Sequence, residues 1–326
     1  MKNVITGGAG FIGSHLTEHL LARGEEVTII DDLSTGSLDN LSTVGSNANL
    51  VSGSILDKDL VQQTIDGADR VFHLAAAVGV KRIVERPLES LRTNIHGTEN
   101  VLEAARQANV VVLLASTSEI YGKNTSDRLS EDSDRILGSP LKSRWTYAAA
   151  KGLDESFAHA YWQDFALRVA IVRLFNTVGP RQTGRYGMVL PNLVGQALRD
   201  EPLTVYGDGQ QTRCFSYVGD VVPAMVRLSE TTDAYGQAFN LGGLREVSIL
   251  QLAEHVIHLL GSSSTIRFIP YQQAYAEGFE DMRRRVPDNT RAARLVGFNP
   301  TTTLDQMILQ VATAIQASRS STAPAT

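Results

Sequence analysis

A chain of 326 residues is long enough for two lobes and a sizeable core, and its make-up excludes a disordered, collagen-like or low-complexity protein: 43% hydrophobic, 20% charged, 27 glycines against 10 prolines. Its 30 Lys and Arg are outweighed by 35 Asp and Glu, a formal net charge of −5, so there is no positive field to draw nucleic acid or an anionic membrane. Cys214 is the single cysteine, which excludes an intrachain disulfide and a multi-cysteine metal site, and we expect a reducing, cytoplasmic setting.

The opening residues, MKNVITGG, enter an extended run at once, so no charged, apolar and cleavable leader is expected in them. Apolar runs such as Val110–Ala115 fall far short of the ~20 residues that cross a bilayer, so no membrane partner is expected. In chain order, β-branched runs predict strands over Asn3–Thr6, Val27–Ile30, Arg70–Leu74, Val110–Ser116 and Val169–Leu174. Helical apolar spacing falls between them, over Phe11–Ala22, Asp59–Ile65, Pro87–Gln107 and Thr146–Asp164. This alternation predicts an α/β fold, a Rossmann-like doubly wound parallel sheet. After Leu174 the rhythm gives way to loops rich in Gly, Pro and Arg around one helical pattern at Leu190–Arg199, which predicts a smaller C-terminal substrate-binding domain. The expected boundaries are 1–175 with a return segment at about 237–260, then 176–236 with 261–317, then a disordered tail over 318–326 rich in Ser, Thr, Ala and Pro.

Gly7, Gly10 and Gly13 follow the first strand in G-x-x-G-x-x-G spacing and, with Phe11 and Ile12, open the first helix. Glycine is needed where the backbone turns tightly and where a side chain would keep a pyrophosphate from the helix N-terminus. The second strand ends in Asp31-Asp32, close to the ~20-residue separation of a ribose-binding carboxylate. Asp31 would accept hydrogen bonds from ribose hydroxyls and repel a 2′-phosphate, which favours NAD over NADP. No Gly-Lys-Ser/Thr follows the glycines, so a phosphate-loop nucleotidase is excluded.

Tyr147 and Lys151 stand four apart in TYAAAKGLDE, on one face of a helix. A cation beside the phenol would lower its pKa and make a hydroxyl-deprotonating base. The pair lies downstream of a strand ending in STSEIYG, where a doubly wound fold places ligand groups.

With these motifs together, the sequence resembles the extended short-chain dehydrogenase/reductases that modify nucleotide-diphosphate sugars, the NAD-dependent epimerase/dehydratases. The resemblance spans GGAGFIGSHL, DDLSTG, HLAA, TNIHGT, STSEIYG, YAAAK, LFNTVGPR, DGQQTR and FSYVGD. It implies that Thr117 bonds the sugar hydroxyl, that Tyr147 removes its proton, and that Lys151 orients the tyrosine and the nicotinamide ribose while NAD takes hydride from C4. It implies that Asn176 and Arg213 hold the substrate diphosphate, that Asn94 lies on the helix beneath the site, and that the enzyme is a homodimer built on the helices around Pro87–Gln107 and Thr146–Asp164. One departure is Gly53-Ser54-Ile55, where the family usually carries an aspartate to the adenine.

Three reactions share C4 oxidation. Glu119 matches the glutamate of dehydratases and decarboxylases, where 4-epimerases typically carry a neutral residue, and Ser118 replaces the aspartate acid of thymidine-linked glucose dehydratases. Arg283-Arg284-Arg285-Val286-Pro287-Asp288 resembles the Arg-x-Pro-Asp/Ser segment of UDP-glucuronate decarboxylases, whose arginine enters the sugar pocket. An arginine holds a carboxylate through paired charged hydrogen bonds. We therefore expect a UDP-sugar substrate and decarboxylation of UDP-glucuronate, with Arg285 and Ser118 on its carboxylate and Glu119 governing C5. The product is UDP-xylose, or the 4-keto-pentose if it leaves unreduced. The alternatives are a UDP-glucose or UDP-glucuronate 4-epimerase, a 4,6-dehydratase, and a noncatalytic NAD sensor, which has no need of Thr117, Tyr147 and Lys151 together.

Arg144 is shared with dehydratases and so discriminates little. His15 and His19 lack the His-Glu-x-x-His order of a metal site and read as helix packing; no metal is expected. Cys214 reads as a small apolar filler. Lys81 and Arg82 read equally as a sugar border or an exposed loop.

Overall fold

The computed structural model describes residues 1–77, 86–184, 188–274 and 282–322. Seven parallel strands form the central sheet: β1 (Lys2–Thr6), β2 (Glu26–Asp31), β3 (Ala48–Ser52), β4 (Arg70–His73), β5 (Val111–Thr117), β6 (Val169–Leu174) and, from far along the chain, Ala238–Leu241. Their order across the sheet is Ala238–Leu241, β6, β5, β4, β1, β2, β3. The order reverses between β1 and β4, and in such sheets ligands bind at that reversal, beyond the carboxyl ends of the strands.

The strands are apolar on both faces because helices cover both. On one face α1 (Phe11–Ala22) packs Leu16 and Leu20 against Ile5, Ile29 and Phe72, joined by Val218–Glu230 with Val221, Val222 and Met225. On the other lie α2 (Lys58–Ile65), α3 (Pro87–Ala108) and α4 (Thr146–Phe165), with Val61, Val101, Leu102 and Ala158 against Val4, Val71 and Val112. The helix Val218–Glu230 thus belongs to the sheet, although the sequence placed it in the second domain.

The second lobe has its own core, in which Leu190, Leu193, Val205, Leu252, Val256, Ile308 and Val311 meet. Its helices are α5 (Val189–Ala197), Ile249–Leu260 and Leu304–Thr322. The helix Ile249–Leu260, expected to return to the first domain, packs here instead; only the strand before it rejoins the sheet. The last helix continues to Thr322, past Ser318, where composition suggested a disordered tail.

Within this lobe Glu246–Ser248, Thr212–Cys214 and Arg284–Arg285 form a small sheet whose register sets Arg285 beside Arg213. The strand bearing Arg285 is tied to the first lobe as well: Leu129 N donates to Val286 O at 2.8 Å, and Asp288 N to Leu129 O at 2.9 Å.

Candidate active site

A groove of about 1010 Å³ runs between the lobes, over the ends of β1, β2, β4 and β5. Gly7, Gly10, Phe11, Ile12, Gly13, Asp31 and Asp32 line one end; Thr117, Ser118, Glu119, Tyr147, Asn176, Arg213 and Arg285 line the other. The sequence-predicted residues therefore converge, apart from Lys151 and Asn94.

At the first end the backbone conformation demands glycine. Gly7 has φ +75° and a Cβ there would stand 2.8 Å from Ala75 N, while one on Gly13 would meet Gly7 O at 2.2 Å. Helix α1 has no side-chain N-cap and no acidic residue in its first turn, so its amide dipoles face the groove ready for an anion. Asp31 is buried, and its Oδ2 accepts from Ala9 N at 2.9 Å and its Oδ1 from Leu33 N at 2.8 Å, bracing the glycine turn. Burial nevertheless lifts the Asp31 carboxyl above its ordinary range against those two amides, so further donors such as ribose hydroxyls would be stabilising. These features fit a dinucleotide. Asp32 is exposed and caps its own turn at Ser34 N, 2.9 Å. The Ser54 hydroxyl is spent on Leu56 N at 3.2 Å, and Gly53 and Ile55 form the wall in its place.

At the second end, Thr117 closes β5 and its hydroxyl accepts from Glu119 N at 3.2 Å. Arg285 is buried, donating from Nη1 to Ser118 Oγ at 3.3 Å and from Nη2 to Asn176 Oδ1 at 3.2 Å. Glu119 accepts from Arg144 Nη1 at 2.7 Å and lies 3.7 Å from Arg285 Nη1. Burial raises the Glu119 pKa, but Arg144 and Arg285 outweigh it, and the carboxyl is held below its ordinary range. Three guanidiniums, of Arg144, Arg213 and Arg285, thus surround one carboxylate. Sequence reading undervalued Arg144, because no spacing rule shows that it meets a residue 25 positions away.

Arg213 is buried and fastened to Thr212 O and Met282 O, each at 2.8 Å. Asn176, at φ +34°, donates from Nδ2 to Cys214 O at 3.3 Å. Cys214 is buried, its thiol pushed up to about 12 by burial, in keeping with an inert filler. Asn94 is buried and is not among the residues lining the groove; its Oδ1 accepts from Ala77 N at 2.7 Å, so it pins the loop after β4.

Tyr147 lines the groove, whereas Lys151 is buried with its ammonium 2.8 Å from Asp154 Oδ2. Burial pushes the Tyr147 phenol well above its ordinary range, with Glu119 and Asp154 adding to the rise, against the expectation that Lys151 lowers it. His15 meets Phe11 edge to face and sits between Pro180 O, 3.0 Å from Nε2, and Arg181 Nη2, 2.7 Å from Nδ1, so it is a packing residue. Arg181 was missed: at φ +67° it also binds Glu18 with both terminal nitrogens, drawing a second-lobe loop against α1 at the groove. Lys81 and Arg82 lie outside the described residues. Among the described residues no group of three His, Cys, Asp or Glu could hold a metal ion, and no helix is long and apolar enough to cross a membrane.

A glycine turn on a doubly wound sheet, a buried carboxylate at the end of the second strand and a Tyr-x-x-x-Lys helix beside a strand-end threonine define a dinucleotide-dependent enzyme of the short-chain dehydrogenase type. The chain belongs to the NAD dependent epimerase/dehydratase family, whose model matches residues 3–242. It is 42% identical over 304 residues to a UDP-N-acetyl-alpha-D-glucosaminuronate decarboxylase of Bacillus cytotoxicus, covering 93% of this chain and 94% of that one. It is 36% identical to UDP-glucuronic acid decarboxylase 1 of Xenopus tropicalis, covering 93% of this chain and 69% of that one. Among solved structures, UDP-glucuronic acid 4-epimerase of Bacillus cereus, in complex with UDP-glucuronic acid and NAD, superposes with a TM-score of 0.87 at 30% identity, covering 98% of this chain and all of that one. The protein is an NAD-dependent nucleotide-sugar enzyme.

Proposed function

We propose that the enzyme decarboxylates a UDP-linked uronic acid, with UDP-glucuronate as the parent substrate and UDP-xylose as product. The observation that carries this reading is the buried guanidinium of Arg285, held by Ser118 and Asn176 in a cluster where three arginines face one glutamate. A C6 carboxylate enters such a cluster as the missing anion, and the charged hydrogen bonds recognise it. The two decarboxylase relatives support the reading through the reactions in their names.

NAD, held by the glycine turn at Gly7, Gly10 and Gly13 and by Asp31, would supply the hydride acceptor and donor at C4. Tyr147 takes the proton of the C4 hydroxyl, with Thr117 as hydrogen-bond partner of that oxygen. The resulting C4 ketone makes the sugar a β-keto acid, which loses CO2 and leaves an enolate whose C5 takes a proton from water; Tyr147 gives its proton back to the C4 oxygen when the ketone is reduced. Glu119, kept anionic by Arg144 and Arg285, orients the donor of the C5 proton and does not itself supply it. Arg213 and Asn176 hold the diphosphate.

The relative from Bacillus cytotoxicus is named for an N-acetylated uronate, and a second reading takes that sugar as the substrate. Incubating the enzyme separately with UDP-glucuronate, UDP-N-acetylglucosaminuronate and UDP-glucose, then recording product mass and proton NMR, separates the readings. Loss of CO2 from a uronate supports decarboxylation and identifies the sugar. Unchanged mass with inversion at C4 would instead make the protein a 4-epimerase.

A further inference from the structure

Three segments around Arg285 are tied to one buried side chain. Asn240, in the strand Ala238–Leu241, is fully buried, as is Tyr121 at the end of the turn Ser118–Tyr121. Asn240 Nδ2 donates to Leu129 O at 2.8 Å and to Asp288 O at 3.2 Å, and its Oδ1 accepts from the Tyr121 phenol at 2.7 Å. The phenol oxygen in turn accepts from Arg173 Nη1 at 2.9 Å. Arg173, on β6, is gripped by Glu155 of α4, with Nη2 donating to Oε2 at 2.7 Å, and Glu155 Oε1 accepts from Ser116 Oγ at 2.5 Å.

The direction of these bonds follows from the groups at either end, because backbone carbonyls only accept and a guanidinium only donates. The amide nitrogen of Asn240 therefore faces Leu129 O and Asp288 O, and its oxygen faces the phenol. The single phenolic proton goes to that oxygen, while Arg173 donates to the phenol. Both N–H bonds of the carboxamide are used. Around it lie Ile120, Leu129 and Phe175, an apolar pocket in which a slip of any bond would leave a buried polar group unpaired.

This carboxamide sits where the supports of Arg285 meet. Leu129 N donates to Val286 O, so Leu129 and Asn240 together hold Val286 and Asp288, the residues that follow Arg285. Ser118, which accepts from Arg285 Nη1, lies in the turn that ends in Tyr121, and Asn176, which accepts from Nη2, follows Phe175 of the pocket. Gly242 lets Pro287 close on Phe175, for a Cβ there would stand 2.6 Å from Phe175 Cβ and 2.8 Å from Pro287 Cγ. Neither Asn240 nor Tyr121 is among the residues lining the groove. We propose that Asn240 is a positioning residue for recognition of the acid: its carboxamide, aligned by Tyr121, fixes the Arg285 strand against the turn that carries Ser118 and Glu119, and so sets where the guanidinium stands. This rests on the reading that Arg285 receives the sugar carboxylate.

The test is calorimetry of UDP-glucuronate and UDP-glucose binding to Asn240→Ala and Tyr121→Phe, each made in the Tyr147→Phe background so that no sugar is turned over, with Tm measured alongside. The two sugars share a nucleotide and differ at C6, so the ratio of their affinities reads the placement of Arg285. In Asn240→Ala the preference for the uronate should fall by about tenfold with UDP-glucose affinity held, and in Tyr121→Phe, which keeps the ring in its pocket, by about threefold. A merely structural asparagine would lower Tm and leave the ratio unchanged, or weaken both sugars alike, and either result overturns the proposal. If Asn240→Ala does not fold, Tyr121→Phe decides by the same ratio. Nitrogen-15 NMR of the Arg285 Nε–H, assigned through Arg285→Lys and recorded without sugar, separates the proposal from the reading beneath it. A signal that shifts in Tyr121→Phe supports the placement, and one that does not move overturns it. A parent that binds both sugars alike, with an Arg285 signal that shifts, would count against the uronate function and leave the placement standing.

Discussion

Among individual residues, the buried charges carry the strongest consequences. Arg285→Met leaves Glu119 with Arg144 and Arg213 and removes the donor proposed to meet the uronate, and loss of a buried charged partner costs about 2–5 kcal/mol. We expect KM for the uronate to rise by roughly thirtyfold or more by that measure, with bound NAD unchanged; steady-state kinetics and cofactor absorbance check both. Tyr147→Phe keeps the ring and deletes the proton acceptor, so kcat falls by about 10²–10⁴-fold while substrate still binds, as calorimetry would show. His73 has a stability consequence of definite sign. Burial holds its folded pKa down to about 3, below the unfolded value, so between these the unfolded chain binds the extra proton and stability falls as pH falls. The contribution reaches about 1.4 kcal/mol per pH unit over that window. Urea midpoints measured from pH 7 down to 4 should fall less steeply in His73→Gln than in the unmodified protein.

For the secondary-structure elements, the turn into α1 is the least forgiving. A methyl on Gly13 would strike the Gly7 carbonyl, which is backbone and cannot swing aside, so Gly13→Ala should abolish NAD retention. The enzyme purified with that change should lack the nicotinamide absorbance expected of the parent. The elements around this turn were legible in sequence: β6 and α1 match their expected bounds, and the other predicted strands and helices agree to within a few residues, because strand and helix periodicities there alternate cleanly. The strand Ala48–Ser52 was not foreseen; it is a half-exposed edge, ANLVS, without a continuous apolar run. Glycines, Asp31, Tyr147 and Arg285 could be found because their motifs are local. Asn240, Arg173 and the Arg144–Glu119 pair were not, since nothing in spacing says which buried polar groups from separate elements will meet.

Considered as a whole, the molecule presents α3 and α4 together on one flank, with Leu88 and Leu153 exposed at 60% and 42%. Large apolar side chains left on neighbouring helices suit a partner surface, and we expect the homodimer that the family resemblance implies. Sedimentation should give twice the 35.4 kDa chain mass, and a monomer at micromolar concentration would overturn it. The division into lobes was only partly legible, because Val218–Glu230 and Ile249–Leu260 each pack on the opposite lobe from the one their place in the chain suggests. Amphipathic pattern says that a face is buried without saying against what.

The strand carrying Arg285 has one further consequence, which concerns time. The glycine turn and Asp31 emerge first from a ribosome, Tyr147 and Lys151 midway, and the sheet gains its seventh strand only at Leu241. Arg285 comes later still, and it is seated only when Leu129, made long before, grips Val286 and Asp288. On the proposed roles, a nascent chain acquires the parts that hold a dinucleotide well before those that choose an acidic sugar, and selectivity is the last property of the enzyme to be born.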